Sequence, residues 1–353
     1  MRMVRALPLV IAGMLALANA GQASAALVGQ SISTGIAALK EWNVVAFNNL
    51  STSNHIGGRV LVGNNFTVNN GVVAMDGSNI PTTTNGTAAI TVGGNTSFSN
   101  GNVNGSGVQV GGNLTGNFNN NGGGAVQVGG TAQNQQNFSV QANQGANFTN
   151  TILAQSADIK ASLTSLSQNL QTLANTAGVQ VGGDSNNQSI TVTGTGLQVL
   201  NWSEAMFEGS SNQQLQISIP SGATLVVNVA GTDLDFNRNF NTYANMKNVL
   251  FNFYEATTVD IGRQFSGSIL GVFADITGGN SGNIDGTVVG NNVTQNANGE
   301  IHNAYFQGDL SSLSGPVSVA PEPSTWAMLI LGFGLVGAMM RTRNRRSLVI
   351  QAA

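Results

Sequence analysis

The chain of 353 residues contains no cysteine. Disulfides, thiolate metal sites, cysteine nucleophiles and lipobox acylation are therefore excluded. Charge is almost as scarce: 8% of residues are Asp, Glu, Lys or Arg, against about 25% in an ordinary globular domain. Aromatic residues make up 6% and prolines number six. What is plentiful is Gly, Asn, Gln, Ser and Thr, with Val and Ile at regular intervals. That mixture points to repeated β structure with tight corners rather than a charged, solvated, disordered chain. The net charge of −3 conceals an uneven distribution, because half of the basic residues sit at the two ends. Residues 26–320 hold six basic and fourteen acidic side chains, 6 − 14 = −8. An acidic, lysine-poor body argues against nucleic acid or anionic membrane surfaces as partners.

The two ends carry targeting signals. Arg2 and Arg5 form a basic n-region, Ala6–Ala18 an apolar stretch, and Ala23-Ser24-Ala25 a small-x-small cleavage site. Together they read as a signal peptide over residues 1–25, exported by the Sec route. The alternative cut, after Ala18-Asn19-Ala20, does not alter this reading. At the other end Pro321-Glu322-Pro323-Ser324-Thr325-Trp326-Ala327 opens an apolar run that closes at Met340, before Arg341, Arg343, Arg345 and Arg346. The 17 residues Ser324–Met340 are at the lower limit for spanning a bilayer core of about 30 Å. Trp326 suits the interface and the arginines act as a cytoplasmic membrane stop. Residues 347–353 extend as a short tail.

Residues 319–346 resemble a PEP-CTERM sorting signal, carried by Pro321, Glu322, Pro323, Trp326 and Ala327. The resemblance implies recognition by exosortase and cleavage near Pro321-Glu322-Pro323. An inner-membrane precursor would then become a cell-surface or extracellular-matrix protein. The extension beyond the arginines departs from the usual pattern.

Between the signals the sequence repeats itself. Val60-Leu61-Val62-Gly63-Asn64 is echoed by Ile90-Thr91-Val92-Gly93-Gly94-Asn95, Val108-Gln109-Val110-Gly111-Gly112-Asn113, Val126-Gln127-Val128-Gly129-Gly130 and Val179-Gln180-Val181-Gly182-Gly183. Val288-Val289-Gly290-Asn291-Asn292 is a looser copy. From Val92 to Val110 and from Val110 to Val128 the step is 18 residues, the mark of a solenoid. Alternate Val residues face inward from a strand, the Gly pair turns a corner through unusual backbone angles, and the Asn can stack in a ladder from coil to coil. Eighteen residues at about 3.3 Å suit a three-sided coil. The fold expected is mainly β, a right-handed parallel β-helix.

Ile159, Leu163, Leu166, Leu170 and Leu173 line one face of a helix expected over about 152–177, with Gly178 as its stop. Its stripe is too short for a coiled coil and suits packing along the solenoid. The end coils need protected edges, and Ala38–Phe47 and Ile301–Phe306 are the candidates for these caps.

The body, residues 26–318, resembles the choice-of-anchor A domain of bacterial surface proteins. The match lies in Trp42-Asn43-Val44-Val45-Ala46-Phe47-Asn48-Asn49-Leu50 and Gly57-Gly58-Arg59-Val60. It continues in Asn248-Val249-Leu250-Phe251-Asn252-Phe253, Gly286-Thr287-Val288-Val289 and Gly299-Glu300-Ile301-His302-Asn303. The resemblance implies surface attachment and suggests adhesion.

Catalytic chemistry finds little footing. His55 and His302 are far apart in sequence, and the latter reads as a structural residue closing the last coil. Asp233-Leu234-Asp235-Phe236-Asn237 opens like a calcium loop but has Arg238 where Gly is required. Gly122-Gly123-Gly124 lacks the Lys-Ser/Thr of a phosphate loop. No cofactor, metal or catalytic residue is expected. The sequence thus points to a non-enzymatic adhesin or structural component of exopolysaccharide and biofilm, with exosortase and a matrix or surface glycan as partners. The alternatives are a β-helical polysaccharide-active enzyme and an ice-binding protein, the latter disfavoured because Thr-x-Thr does not recur on every coil. Sequons such as Asn49-Leu50-Ser51 carry no meaning at this stage.

Overall fold

Three-residue strands with β-branched residues at alternate positions cannot stand alone; each needs a paired neighbour on either side. In the computed structural model, which describes residues 32–81, 87–133, 138–241 and 244–313, they gain them by winding into a parallel β-helix with three faces. The described residues fall within one unit, Val28–Gly315. The expected signal peptide with Ala23 and Ala25, the sorting residues Pro321, Glu322, Pro323, Trp326 and Ala327, and the expected membrane stop Arg341, Arg343, Arg345 and Arg346 lie outside the described residues. So does the expected span 324–340. Among the described residues no helix is long and apolar enough to cross a membrane.

Along one face the parallel ladder runs Val140–Gln141, Val126–Val128, Val108–Val110, Ile90–Val92, Val60–Val62 and Val44–Ala46. It continues without a break into Val288–Gln295, Ser268–Gly278, Val249–Asn252, Ala223–Val229 and Gly196–Trp202. The order along the axis is therefore not the order along the chain. A helix over 32–41 (α1) leads into a first coil at the middle of the solenoid. The chain winds from there to one end, near Val140. Helix α2, Ala146–Gln171, then returns it along the solenoid, and winding resumes from the opposite end towards the middle. Twenty-six residues at about 1.5 Å each span about 39 Å, which eight strand steps of about 4.8 Å would also cover.

This order overturns the expected caps. Segments 38–47 and 301–306 protect no outer edge; they lie at the seam where the last coil pairs with the first. Val44 pairs with Val60 on one side and Val288 on the other. Asn43 ties the seam, donating to the carbonyls of Gly286 and His302 at 3.0 Å each and accepting from Gly58 N–H at 2.9 Å. The Tyr305 hydroxyl accepts from Arg59 N–H at 2.9 Å, and burial pushes that phenol up to about 12. Strings that are some 240 residues apart in sequence are thus side by side.

The copy Val179–Gly183 is a second departure. It does not join the coil stack but folds back antiparallel on Asn187–Val192, in a separate four-stranded sheet. Its Val181 is exposed. Coil length also varies: Ile90, Val108 and Val126 keep the 18-residue step, but Val60 to Ile90 is 30. Helix α2 starts six residues before the expected 152, after Gly145 at φ 80°, and stops at Gln171 rather than at Gly178. Its polar first turn is held by Thr149, whose hydroxyl donates to the Gly111 carbonyl at 2.7 Å.

The corner glycines are required by close approach. A Cβ on Gly93, Gly111 or Gly129 would meet the carbonyl oxygen of the preceding corner at 2.4, 2.3 or 2.1 Å. None of the three has a positive φ, so the expected reason, unusual backbone angles, is replaced by coil stacking.

Two apolar layers result. Inside the coils, Val44, Val60, Ile90, Val108 and Val126 stack in one column, with Phe66, Phe98, Phe118 and Phe138 in another. Outside, Ile159, Leu163, Leu166 and Leu170 of α2 join Leu39 and Trp42 on the outward side chains Val45, Leu61, Leu250, Leu270 and Val289. The expected packing of the Leu stripe is what the structure shows, although Leu173 is only partly buried there. Each fully buried Leu contributes at most about 1.5–3 kcal/mol. At the far end of α2, Asn228 and Asn252 donate to the carbonyls of Leu170 and Ser167 at 2.8 and 3.0 Å, tying the last turns of the helix to the covered face.

Candidate functional site, a bare polar face

The second face of the solenoid has no helix over it. Its ladder runs Leu114–Asn120, Thr96–Val103, Phe66–Asn69 and Leu50–Thr52, then Val288–Gln295, Ser268–Gly278, Thr258–Ile261 and Asp233–Phe236. Register places Thr115, Ser97, Thr67, Ser51, Thr294 and Thr277 in one row across six consecutive coils. Their neighbours Leu50, Phe66, Thr96, Leu114, Val293 and Ile276 are buried, so alternation turns the hydroxyls outward.

Two residues earlier on each coil stands a second row: Asn113, Asn95, Asn65, Asn49, Asn292 and Asp275. The repeating unit is Asn-x-Ser/Thr on five coils and Asp-x-Thr on the sixth, so the sequons, Asn49-Leu50-Ser51 among them, are rungs of one face. Each member of the second row accepts the backbone N–H of the next. Asn113 donates to Asn95 Oδ1 at 2.8 Å, Asn95 to Asn65 at 3.0 Å, Asn65 to Asn49 at 3.2 Å and Asn49 to Asn292 at 3.1 Å. Thr131 N–H adds to one end at 2.9 Å, and Asn292 N–H reaches Asp275 at 3.3 Å at the other. The ladder passes the seam without a gap. The second corner glycine makes room for it: a Cβ on Gly112 or Gly130 would lie 2.6 or 2.3 Å from the Asn95 or Asn113 Oδ1.

The result is a flat lattice of amides and hydroxyls. Its repeats are about 4.8 Å along the axis and about 6.7 Å between rows, from strand spacing and a two-residue rise. Thr115 to Thr277 covers roughly 24 Å. Every residue in the two rows is partly or fully exposed, and Asp275 is the one ionisable member. The rows themselves hold no aromatic ring; exposed Phe273 stands at the adjoining corner, in the irregularity between Gly271 and Asp275.

Beyond Asp275 and Thr277 the same rows turn acidic. Thr258 and Asp233 continue one, and Asp260 and Asp235 the other. Burial first, then the Asp235 charge, raises the Asp260 carboxyl above its ordinary range, while a hydrogen bond from Asn280 opposes this. The segment that opens like a calcium loop is therefore a strand, with Asp233 accepting the Thr258 hydroxyl. Among the described residues no group of three His, Asp or Glu is placed to hold a metal ion.

The two histidines are brought closer than their sequence positions imply, because Ile56 bridges Ile301 across the seam. His55 Nδ1 accepts from Val72 N–H at 3.3 Å. His302 Nδ1 lies 2.5 Å from Asp285, which also accepts from Gln264 at 2.7 Å and Ser266 at 3.3 Å. These bonds brace the third face at the seam, not an end coil.

Residues 35–303 match the family described as "Putative Ice-binding-like adhesive domain". Residues 319–346 match the PEP-CTERM protein-sorting motif, with the same bounds as the sequence reading. No curated protein is similar to the chain. Among solved structures, an ice binding protein from an Antarctic biological consortium superposes with a TM-score of 0.33 at 12% identity, over 74% of this chain and 86% of that one. An ice binding protein from an Antarctic bacterium, Flavobacteriaceae, gives 0.17 at 12% identity, over 73% and 78%. Neither likeness is close enough to bear on ligand or mechanism.

Proposed function

Because the chain belongs to the family of ice-binding-like adhesive domains and ends in a PEP-CTERM sorting motif, we propose that it is a non-enzymatic surface adhesin. On this reading it is exported through its signal peptide, held as an inner-membrane precursor and released by exosortase near Pro321-Glu322-Pro323. The body then attaches to an ordered, uncharged, hydrogen-bonding surface through the Asn-x-Ser/Thr lattice. The resemblance to choice-of-anchor A surface proteins supports the same placement.

The observation that carries the reading is the unbroken double row across six coils. A lattice with fixed repeats matches a ligand that is itself periodic. Its amides are already locked by neighbouring backbone N–H groups, so little side-chain entropy is lost on contact. A flat face without a groove fits an ice surface better than an isolated sugar chain. The second reading, a neutral glycan of the exopolysaccharide matrix or biofilm, is favoured by Phe273, whose exposed ring borders the lattice and can stack on a pyranose.

The test uses the full-length protein in ice-recrystallisation inhibition and in co-sedimentation with isolated exopolysaccharide. Ser97→Lys with Thr115→Lys places two long charged chains amid the rows. Inhibition of recrystallisation that this pair abolishes supports ice; saturable glycan binding that it abolishes supports the matrix. Activity in neither assay, or activity indifferent to the pair, sinks the lattice as the adhesive site.

A further inference from the structure

At the acidic end of the solenoid, two strands beyond Thr277, lies a cleft that adhesion through the neutral rows does not use. Its volume is about 490 Å³, and Ser185, Ala205, Glu208, Gly209, Asp235 and Arg238 line it. A second cleft of about 320 Å³ adjoins it, sharing Ser185, Ala205 and Arg238, with Gln188 on its wall. Both volumes suit a small organic ligand.

Arg238 is the unusual member. The residue is 4% exposed, yet it makes no ion pair among the described residues. Its Nε donates to the Glu208 carbonyl at 2.7 Å, which aims the planar group, but its Nη1 is buried with no hydrogen-bond partner among the described residues. The Gln188 side-chain oxygen, on the wall of the second cleft, is likewise buried without a partner. A buried guanidinium lacking a counter-charge is costly; burial already holds its pKa below the ordinary arginine range. Asp184, Glu208 and Asp235 also line the clefts, but among the described residues none pairs with Arg238, and a ligand carboxylate would supply that close contact.

The neighbouring residues narrow the choice. Glu208 and Asp235 line the first cleft with Arg238, and among the described residues Glu208 Oε1 accepts only the Asp235 N–H at 3.2 Å. Carboxylates repel a bare anion but accept hydroxyl protons. A ligand satisfying both kinds of group carries one carboxylate and, a few ångströms from it, several hydroxyls.

We propose that this cleft binds a hexuronate unit of an acidic polysaccharide. Its carboxylate meets Arg238, and its ring hydroxyls donate to Glu208 and Asp235. The site is separate from the neutral lattice and does not depend on it. It gives the protein a second, charge-selective grip on a glycan.

The experiment is calorimetric titration of the full-length protein with glucuronate, with glucose and acetate as the two half-ligands. Glucuronate is expected to bind saturably and at least tenfold tighter than either. Arg238→Lys, which keeps a charge but loses the planar fork, should weaken glucuronate about tenfold. The exposed Asp235→Asn should weaken glucuronate but not acetate. A thermal melt of Arg238→Lys separates lost binding from lost folding, and Asp235→Asn keeps the test decisive should Arg238→Lys fail to fold. Equal affinity for acetate would reduce the site to a simple anion hole and overturn the saccharide assignment. Equal affinity for glucose, or no binding, would overturn the role of Arg238. Recrystallisation inhibition by Arg238→Lys should equal that of the wild type, so failure here leaves the lattice untouched, and the reverse.

Discussion

Four coils of this solenoid each present one outward residue on the helix-covered face and one on the bare face. On the first coil these are Val45 and Ser51, on the next Leu61 and Thr67, and on two late coils Leu270 with Thr277 and Val289 with Thr294. Backbone, register and spacing are alike on the two faces. Only the outward side chain differs, and it changes from apolar to hydroxyl within five to seven residues on every one of the four. Where the protein covers its own sheet it uses the hydrophobic effect. Where it leaves the sheet bare, it places small polar groups that cost nothing to hydrate. The second choice keeps a flat sheet soluble, and it leaves the surface free for a ligand that can replace ordered water.

The contrast is broken most severely at α2. Leu163 is fully buried between the helix and the covered face. Leu163→Ala should cost about 2–5 kcal/mol, the range for a cavity left in a packed core. Chemical denaturation with the same slope and a lower midpoint would show it. A loss below about 1 kcal/mol would mean that α2 is only loosely docked.

The seam beneath the covered face offers a pH lever. Tyr305 is buried and its phenol is raised to about 12, so the native state favours the neutral form. Stability from this group is complete below pH 10 and declines as pH rises towards 12. Two pK units correspond to about 2–3 kcal/mol. In Tyr305→Phe, which cannot ionise, that part of the alkaline decline should vanish, as melts between pH 8 and 12 would reveal. If the decline persists unchanged, another group is responsible.

How much of this was legible in the sequence follows from the range of each signal. The Val-x-Val-Gly copies and the Leu163-Leu166-Leu170 stripe are local, and apart from the copy Val179–Gly183, which folds back antiparallel, they form the strands, corners and helix that their spacing implies. The route of the chain is not local. Nothing in a single sequence says that α2 returns the chain to the far end, so that Asn292 follows Asn49 in one ladder. For that reason the seam strings around Asn43 and His302 were read as end caps. The candidate face was hidden by the same discontinuity and by chemistry. A search for Thr-x-Thr passes over rows in which Asn holds one position and Ser or Thr the other. Five of the six units are visible as Asn-x-Ser/Thr sequons, and four of them, at Asn65, Asn95, Asn113 and Asn292, stand two residues after a corner Gly, which was the signal that could have found them.

A smaller effect sharpens the comparison from within the covered face. Thr91 stands in the outward column next to Leu61, 1% exposed, its hydroxyl without a partner among the described residues. Here a bare-face residue type occupies a covered position. Thr91→Val keeps the shape and removes an unsatisfied hydroxyl, so it should stabilise the protein by about 1 kcal/mol. A higher denaturation midpoint would confirm that polarity on this face is a cost; an unchanged one would mean the hydroxyl is solvated after all.

The smallest change in stability is expected on the bare face, and there the smallness is itself the point. Thr67 and Thr294 lie in the central part of the row, partly and fully exposed, with their backbones held by ladders on both sides. Thr67→Ala with Thr294→Ala removes two hydroxyls and two methyls but opens no cavity, so stability should stay within about 0.5 kcal/mol for each site. If these threonines exist to hold the coil together, melting temperature and adhesion should fall in step. If they exist to meet a surface, recrystallisation inhibition or glycan co-sedimentation should fall several-fold while the melt does not move. The covered face gives the opposite pattern at Leu163, where stability falls first and binding only as a consequence. Measuring both quantities on both faces therefore separates residues that build the solenoid from residues that the solenoid was built to display.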